Sequence, residues 1–527
     1  MQKRNELKEE LSPALRKAMA DQQIDIELSL ALLKRINEDG LAAALQEHFE
    51  IPQPADKRII NCCSLKGIYV ERKRLREVLG LKGIEVPAPL KEILKEIEPQ
   101  IYLSRALLEE LGFALLPYTA YGVLNGGSAS SYIDPKKNKD FCPELFEFYQ
   151  KDFEHLIEYF AQKPKGLTPA FINPDGSPGP TFLELKLRAL LIQCLSYQLK
   201  TNKPLRIPFF QMTSVLNNEL ISKGYQDFSQ SPLLADLFKE TGFNTEDILT
   251  GVQPLVATFT SASHGLPRRI FDSAYGKPNT PLAMPGGHGQ NFKVLAPIYQ
   301  KLYQGGRLLA SLGNVDNLGY TLNPLALALT FLRECDASFE FSYRTPIDIK
   351  GGVLVVNQTG RLDCRDLGAG ISFEQISQAE NKGFKVLFNC AIGLFNLSAL
   401  VPRLSTLPDE LPLRLSEQNK KPGRYAQVEQ ITWEVISLLD QPLILGVEKY
   451  DRFLAVKVIS EGLLTSGFKL ADPAFPTSSA TIPDIKDMAA KLNTGLSTKL
   501  RSVYGMELQK GRWVPLSLKD LKARLLG

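Results

Sequence analysis

The sequence predicts an α/β protein built around a mixed, mainly parallel sheet. From about residue 116, short apolar runs alternate with helix-length amphipathic stretches, as strands alternate with crossover helices. One apolar run ends at Leu124 and continues into Asn125-Gly126-Gly127. Another, Leu308–Leu312, continues into Gly313-Asn314-Val315-Asp316. Strands that end in glycines and polar residues are typical of the ligand-binding edge of such a sheet.

The elements follow in order along the chain. Residues 1–115 predict a helical N-terminal region, since Leu7, Leu11 and Leu15 recur near helical spacing. Residues 116–465 predict the α/β domain, and residues 466–527 a small C-terminal region. Strands are predicted at Leu116–Leu124, Leu205–Met212, Leu255–Thr260, Leu308–Leu312, Phe339–Tyr343, Val353–Asn357 (paired with the strand before it) and Pro442–Val447. Helices are predicted at Leu145–Ala161, Phe182–Leu199, Leu233–Thr241, Leu325–Arg333 and Tyr425–Leu439. The Pro/Gly-rich stretch Lys163–Pro180 predicts a mobile loop.

Composition narrows the class of protein. The chain has 527 residues, of which 44% are hydrophobic and 23% charged, with a net charge of +4. Such a balance gives no reason to expect nucleic acid or a membrane surface as a partner. Seven scattered cysteines without a Cys-x-x-Cys pair predict neither a disulfide framework nor a zinc site. With no apolar run of 18 residues and no apolar signal core, we expect a cytoplasmic protein.

The glycine turn after the first strand is the first candidate site. Gly126 and Gly127 carry no Cβ, so a phosphate can approach their backbone N–H groups closely. Nearby lysines at 136, 137 and 139 add positive charge. The alternative is a plain turn between two hydrophobic runs.

Three further segments carry candidate side chains. His288 stands between glycines in Pro285-Gly286-Gly287-His288-Gly289, where it can donate to a phosphate, or can simply be exposed on a Pro-Gly turn. Asp316 follows a strand end, where it can hold Mg²⁺ that bridges phosphates, or can cap the next helix in an Asx turn. Lys457 follows an alternating apolar stretch and can point into a cleft, or can be a surface lysine.

Taken together, these segments resemble the UTP–glucose-1-phosphate uridylyltransferase family, the UDP-sugar pyrophosphorylases. The resemblance spans about residues 118 to 465, and its motifs occur in the family's order. They are Leu124-Asn125-Gly126-Gly127, Ile207–Ser214, Gln253, Pro285–Gly289, Gly313–Gly319, Lys350-Gly351-Gly352, Phe388-Asn389 and Arg452–Lys457.

The resemblance implies a Rossmann-like nucleotidyltransferase fold of the GT-A-like type, and formation of UDP-sugar and pyrophosphate from UTP and a sugar 1-phosphate, with glucose 1-phosphate as the expected substrate. It implies Mg²⁺ on Asp316 as the cofactor. The nucleotide contacts that it implies are Leu124, Asn125, Gly126, Gly127, Gln253, Gly287 and Asp316. The implied sugar-phosphate contacts are His288, Asn317, Lys350 and Asn389, and the implied catalytic lysines are Lys457 and Lys137.

The chain departs from the family pattern in places. Ala129 and Ser130 replace the glycine and threonine that usually follow the glycine pair, and the register of the lysine that follows Pro135 is open among Lys136, Lys137 and Lys139. Gln290 stands where an aspartate is usual. A UDP-N-acetylhexosamine pyrophosphorylase and a non-catalytic nucleotide-sugar binder are therefore alternatives. A glycosyltransferase of the same fold would need an Asp-x-Asp, which the sequence lacks.

Overall fold

The structure is a computed structural model that describes residues 11–38, 49–95, 98–368, 370–479 and 482–526. Leu7 of the predicted N-terminal periodicity lies outside these ranges. Within them, no helix is both long enough and apolar enough to cross a membrane.

The strands belong to one large sheet and several small ones. Their bounds are β1 Ile59–Asn61, β2 Gly67–Glu71, β3 Gln100–Ser104, β4 Thr119–Leu124, β5 Phe209–Ser214, β6 Leu249–Gln253, β7 Leu255–Ala257, β8 Phe259–Thr260, β9 Ala283–Pro285, β10 Leu309–Asn314, β11 Ala337–Tyr343, β12 Gly352–Val356, β13 Leu362–Asp366, β14 Leu387–Asn396, β15 Arg414–Lys420, β16 Gly423–Glu429, β17 Pro442–Val447, β18 Met506–Gln509 and β19 Arg512–Pro515.

The helices pack on both faces of the large sheet and at its ends. Their bounds are α1 Pro13–Asp21, α2 Ile26–Glu38, α3 Arg72–Leu79, α4 Ala88–Ile93, α5 Arg105–Ala114, α6 Pro135–Phe141, α7 Pro143–Phe148, α8 Gln150–Phe160, α9 Phe182–Thr201, α10 Asn218–Phe228, α11 Ala235–Thr241, α12 Asn291–Val294, α13 Ala296–Gln304, α14 Pro324–Leu332, α15 Phe373–Asn381, α16 Leu397–Arg403, α17 Leu407–Glu410, α18 Lys449–Arg452, α19 Ile459–Thr465, α20 Ile485–Ser502 and α21 Leu518–Leu526.

The central sheet confirms the predicted fold class. Its order is β1-β17-β11-β14-β10-β4-β5-β6, with β12 and β13 attached beside β14. Every neighbouring pair along this order is parallel except those of β14, which runs antiparallel to both β10 and β11. β4 and β5 are buried along their whole length, as expected of parallel strands covered by helices on both faces.

Two hydrophobic cores cover the two faces of the sheet. The larger contains α5, α9 and α14, and the smaller contains α13 and α16. Helix α9 is buried on nearly all sides and begins with a capping box between Thr181 and Glu184. Because helices cover both faces of the sheet, a ligand can reach its polar groups only at the ends of the strands.

The structure differs from the predicted elements in several places. The N-terminal region contains strands as well as helices, since β1 joins the central sheet beside β17. The third core strand is β6, which ends at Gln253 before Pro254, whereas Leu255–Thr260 pairs with β9 and β16 outside the sheet. β11 and β12 do not pair with each other, because β14 lies between them. The predicted helix Tyr425–Leu439 is strand β16 followed by a 3-10 turn, because alternating burial along β16 suits a strand.

The predicted mobile loop Lys163–Pro180 is packed against the protein. Ala170, Phe171 and Ile172 are buried, and the backbone of Asp175 hydrogen-bonds to Gly511 in the β18–β19 hairpin. Proline and glycine here shape a close-packed turn whose polar groups are satisfied by the C-terminal hairpin. The predicted domain boundaries at 115 and 465 stay predictions.

Candidate active site

A cavity of about 160 Å³ opens beyond the carboxyl end of β10. Residues from five of the predicted segments line it, among them His288, Asp316, Asn317, Gly352, Asn389 and Lys457. Parallel strands bring their carboxyl ends to one edge, and the antiparallel β14 contributes Asn389 from within its length. Segments distant in sequence therefore meet at one place.

The glycine turn lies beside this cavity, against the end of β6. Leu124 is the last residue of β4, in register with Asn314 of β10. The Asn125 side chain is fully buried and donates to Gln211 at 3.1 Å. A Cβ on Gly126 would lie 3.3 Å from Oε1 of Gln253. The structure thus brings the glycine turn and Gln253 together, as predicted.

Gln253 joins the glycine turn to the Gly287 loop. Its Nε2 donates to the carbonyl of Gly287 at 2.7 Å and to Oε1 of Gln290 at 3.0 Å. Its Oε1 is left facing Gly126. Gly287 has φ +85°, and a Cβ there would lie 2.4 Å from the carbonyl oxygen of Gln430. Glycine is therefore required at 287, both for the backbone angle and for the close approach to Gln430.

His288 presents one ring nitrogen to the cavity as a donor. The backbone N–H of Thr432 donates to its Nδ1 at 3.1 Å, and the Thr432 hydroxyl donates to the His288 carbonyl at 2.9 Å. Because Nδ1 accepts, we assign the proton of the neutral ring to Nε2. Burial of the ring lowers the pKa of His288 to about 4. At neutral pH the imidazole is an uncharged hydrogen-bond donor.

The low pKa of His288 makes the fold sensitive to acid. The unfolded chain binds this proton near pH 6.5 and the folded chain only near pH 4, so stability should fall as pH drops through this window. We expect a His288→Gln variant to lose less unfolding free energy than the wild type between pH 7 and pH 4.5, measured by urea denaturation. His155→Gln, at an exposed position of α8, is the control. Equal losses in wild type and His288→Gln would contradict the assignment.

Asp316 pairs with a lysine that the sequence interpretation missed. Its Oδ2 accepts from Nζ of Lys165 at 2.7 Å, and the Asp316 side chain is 7% exposed. Lys165 also donates its backbone N–H to the carbonyl of Gly127 at 3.1 Å. The chain leaves the glycine turn, makes a long excursion, and returns beside it at Pro164-Lys165.

A signal for Lys165 was present in the sequence. The family pattern places a Pro-Lys pair soon after the glycines, and the chain contains two such pairs, Pro135-Lys136 and Pro164-Lys165. The intervening residues form a separate segment, which closes through a bridge between Ser128 and Pro164. Sequence proximity favoured the first pair, whereas spatial proximity to Asp316 belongs to the second.

Lys137 lies at an exposed position on α6. Its Nζ donates to the hydroxyl of Ser131 at 2.8 Å. The backbone N–H groups of Lys136 and Lys137 donate to Oδ1 of Asp134, which is the N-cap of α6. These hydrogen bonds stabilise the start of a helix. Lys165, in contrast, contacts both the glycine turn and Asp316.

The side chain of Asn317, which the sequence predicts to contact substrate, hydrogen-bonds to groups of the protein itself. Its Nδ2 donates to the carbonyls of Cys390 and Arg452 at 3.1 and 3.0 Å, and its Oδ1 accepts from the N–H groups of Gly319 and Leu454. The side chain is fully buried and its hydrogen-bonding capacity is used within the protein. Asn317 therefore ties the β10 loop to β14 and to the segment that carries Lys457.

Lys457 and Asn389 line the same cavity, and Lys457 contacts Lys350. Lys457 is exposed, with its Nζ 3.4 Å from the carbonyl oxygen of Lys350. Asn389 accepts from the N–H of Ala391 at 2.8 Å, and its Nδ2 lies toward Gly352. Lys350 is exposed and takes part in this contact through its backbone carbonyl.

A charged cluster that the sequence interpretation missed closes this end of the cavity. Asp366 and Arg414 both line the cavity and form an ion pair. Arg414 also donates from Nε to the fully buried Glu434 at 2.7 Å. Burial raises the pKa of Glu434 to about 7, with the two guanidiniums of Arg414 and Arg365 opposing the rise. Both arginines come from hairpin strands that no motif marks.

By their names, several proteins with solved structures of similar fold act on nucleotide sugars. The chain is similar to the UDP-N-acetylglucosamine pyrophosphorylase of Trypanosoma brucei, with 16% identity, 98% of this chain and 86% of that chain covered, and a TM-score of 0.58. It is also similar to a UDP-glucose phosphorylase of Trypanosoma brucei (18% identity, 86% and 77% covered, TM-score 0.50) and to a mutant UDP-glucose pyrophosphorylase of Leishmania major (17% identity, 86% and 79% covered, TM-score 0.50). At these identities the likeness supports the fold.

Sequence comparison supplies the family. No curated protein matches the chain in sequence. A family model described as UTP–glucose-1-phosphate uridylyltransferase matches residues 177–472, more than half of the chain. The match includes His288, Asp316 and Lys457 of the cavity. The chain therefore belongs to the UTP–glucose-1-phosphate uridylyltransferase family and is a UTP–sugar-1-phosphate uridylyltransferase.

Proposed function

We propose that this uridylyltransferase uses glucose 1-phosphate as its sugar substrate and releases UDP-glucose and pyrophosphate. The observation that supports uridylyl transfer at this site is the meeting of three features in and beside the cavity. These are the Gly126–Gln253 contact, the Asp316–Lys165 pair, and the neighbouring Lys457. Together they supply a nucleotide cradle and positive charge for a triphosphate.

The nucleotide end of the site lies on the β4–β6 side of Asp316. Backbone N–H groups at Gly126 and Gly127 suit the close approach of the nucleotide. The free Oε1 of Gln253 suits the N–H donor on the uracil ring, because the nitrogen of the same amide is already engaged with Gly287. Fixing that amide in one orientation gives the base a defined acceptor.

The chemistry is an in-line displacement at the α-phosphorus of UTP. The phosphate oxygen of the sugar 1-phosphate forms the new P–O bond, and the bond to pyrophosphate breaks. The attacking oxygen is already anionic, so no general base is required. The site's task is to position the reactants and neutralise charge, which Lys165 and Lys457 are placed to do.

Asp316 is the residue that would hold Mg²⁺. Among the described residues no group of three or more histidine, cysteine, aspartate or glutamate side chains forms a metal cluster. A single carboxylate at a phosphate site fits Mg²⁺, which commonly takes one or two carboxylates and completes its shell with water and substrate oxygens. One oxygen of Asp316 is engaged by Lys165, which leaves the other. When bound, the ion supplies further neutralisation of the triphosphate.

The sugar end lies on the β12–β14 side of Asp316. Nε2–H of His288 can donate to the sugar phosphate. Nδ2 of Asn389 and the half-exposed carboxylate of Asp366 are placed to hydrogen-bond hydroxyl groups. Few polar groups recognise the sugar here, so discrimination among hexoses rests on these contacts.

Lys165, rather than Lys137, is expected to be the lysine that acts on UTP. Replacing Lys165 by Ala should lower kcat/KM for UTP about 100-fold, because it removes a charge that faces the phosphates. Lys137→Ala should stay within about threefold of wild type, as a surface substitution. Steady-state kinetics on both variants decide between them. The reverse order of effects would return the role to Lys137.

A panel of sugar 1-phosphates tests the substrate. We expect pyrophosphate release with UTP and Mg²⁺ to be fastest with glucose 1-phosphate, and slower with galactose 1-phosphate and N-acetylglucosamine 1-phosphate. A faster rate with the N-acetylated sugar would identify the N-acetylhexosamine enzyme instead. UDP-glucose binding without turnover in either direction would support the non-catalytic binder, an alternative motivated by Ala129 in the glycine loop.

A further inference from the structure

The segment between the glycine turn and Lys165, residues 128–164, contains a fully buried tyrosine, Tyr132. Its ring stacks on Phe160, with centroids 5.4 Å apart. Its hydroxyl donates to the backbone carbonyl of Val456 at 2.6 Å. Val456 immediately precedes Lys457, so a residue of the 128–164 segment holds the chain next to this lysine.

Other contacts of the 128–164 segment hold the backbone on the other side of Lys457. The N–H of Ile459 donates to the carbonyl of Tyr132 at 3.4 Å. The N–H of Ser460 donates to Oδ1 of Asn138 at 2.9 Å, and Nδ2 of Asn138 returns to the Tyr132 carbonyl at 2.7 Å. Lys457 thus lies between two anchor points that both trace to Tyr132.

The ring of Tyr132 also faces the second lysine of the site. Nζ of Lys165 lies 5.8 Å from the ring centroid while it pairs with Asp316. A cation over an aromatic face at this distance is attracted to the ring. One side chain therefore contacts Lys165 through its ring and the Lys457 segment through its hydroxyl.

We propose that Tyr132 is a positioning residue that holds Lys165 and Lys457 in one arrangement around the phosphates. The proposal rests on the roles given to the two lysines under Proposed function. The physical reason is that Lys457 is exposed and has a long flexible stem, so the backbone beneath it must be fixed if Nζ is to reach one place. Small displacements of a catalytic group cost large factors in rate.

A second buried tyrosine provides a matched control. Tyr149 is also fully buried, and its hydroxyl donates to a backbone carbonyl, that of Phe468, at 2.7 Å. Removing either hydroxyl leaves one buried carbonyl without its partner, at a similar cost in stability. The two tyrosines differ in what they hold, since Phe468 is outside the cavity lining.

The first experiment compares Tyr132→Phe with Tyr149→Phe. We expect both variants to fold and to lose similar thermal stability. Tyr132→Phe should lower kcat about tenfold with less than about a twofold change in KM for UTP, because the lysine is displaced while the nucleotide cradle remains. Tyr149→Phe should keep the wild-type kcat. Equal kcat values in the two variants would overturn the proposal while leaving the proposed function intact.

A double-mutant cycle asks whether Tyr132 acts through Lys457. In a Lys457→Ala background, Tyr132→Phe should cause no further fall in kcat, since the group it positions is gone. An independent, multiplicative loss would overturn the proposal, because it would show a general structural effect. Full activity of Lys457→Ala by itself would also overturn it.

Hydrogen exchange gives a readout that does not depend on activity. Amides in a peptide covering residues 454–461 should exchange faster in Tyr132→Phe than in wild type or Tyr149→Phe. Unchanged exchange in that peptide would overturn the proposal. If the wild-type protein made no UDP-sugar, the proposed function would fail, and the exchange comparison would still decide whether Tyr132 holds this segment.

Discussion

Replacing Asp316 by Asn is expected to lower kcat/KM about a thousandfold, or about 4 kcal/mol of transition-state stabilisation. Asn has the same size but no charge, so Lys165 loses its ion pair and the site loses the carboxylate proposed to hold Mg²⁺. The measurement is the rate of pyrophosphate release as a function of Mg²⁺ concentration. We expect the variant to need far more Mg²⁺ than the wild type.

The control for this change is another aspartate–lysine pair. Asp348 and Lys449 form an ion pair at 2.6 Å, with each side chain 4% exposed. Asp348→Asn should cost about 3 kcal/mol of folding free energy, because it leaves a buried charge unpaired, yet should retain most of the activity per folded molecule. If Asp316→Asn kept wild-type activity and Mg²⁺ dependence, Asp316 would have no role in the reaction.

Replacing Lys457 by Ala is expected to lower kcat several hundredfold with little effect on folding. The lysine is exposed and its Nζ makes a long hydrogen bond of 3.4 Å to the Lys350 carbonyl. Its removal should therefore change the unfolding free energy by less than about 0.5 kcal/mol. The variant would lack one of the positive groups proposed to stabilise the negative charge that develops during uridylyl transfer. Single-turnover kinetics at saturating UTP measure the effect on the chemical step.

Lys519→Ala, at an exposed position of α21, controls for the loss of one positive charge from the protein. We expect it to match wild type in both kcat and stability. Normal turnover in Lys457→Ala would remove this lysine from the mechanism. A fall in activity that tracked a fall in thermal stability would instead assign Lys457 to the fold.

Local patterns were enough to predict the class of the sheet and several of its strands, and they marked residues that the structure brings close together. The buried strands β4, β5 and β10 read as apolar runs, and their glycine and Asx endings marked the edge where ligands bind. Ordered motifs then placed Gly126, Gln253, His288, Asp316 and Lys457, which the structure brings to one edge of the sheet.

The errors have a common physical cause. Tyr425–Leu439 suggested a helix because its apolar spacing is ambiguous over so short a run, and pairing with β15 made its first half a strand. For Asn317 the sequence predicts a substrate contact, which stays a prediction, while the structure shows four hydrogen bonds of its side chain within the protein. A motif identifies a residue type at a position, and it carries no information about which partners satisfy that residue.

The amino-acid order of this protein thus encodes the α/β class, the family and the placement of Asp316 just after a strand end, because these depend on short-range patterns of burial and polarity. Which lysine faces that carboxylate depended on how the chain folds back from Gly127 to Lys165. The pairing of Asp366, Arg414 and Glu434 likewise required strands distant in sequence to meet. Contacts of this kind follow from packing across the whole chain, which no local pattern specifies.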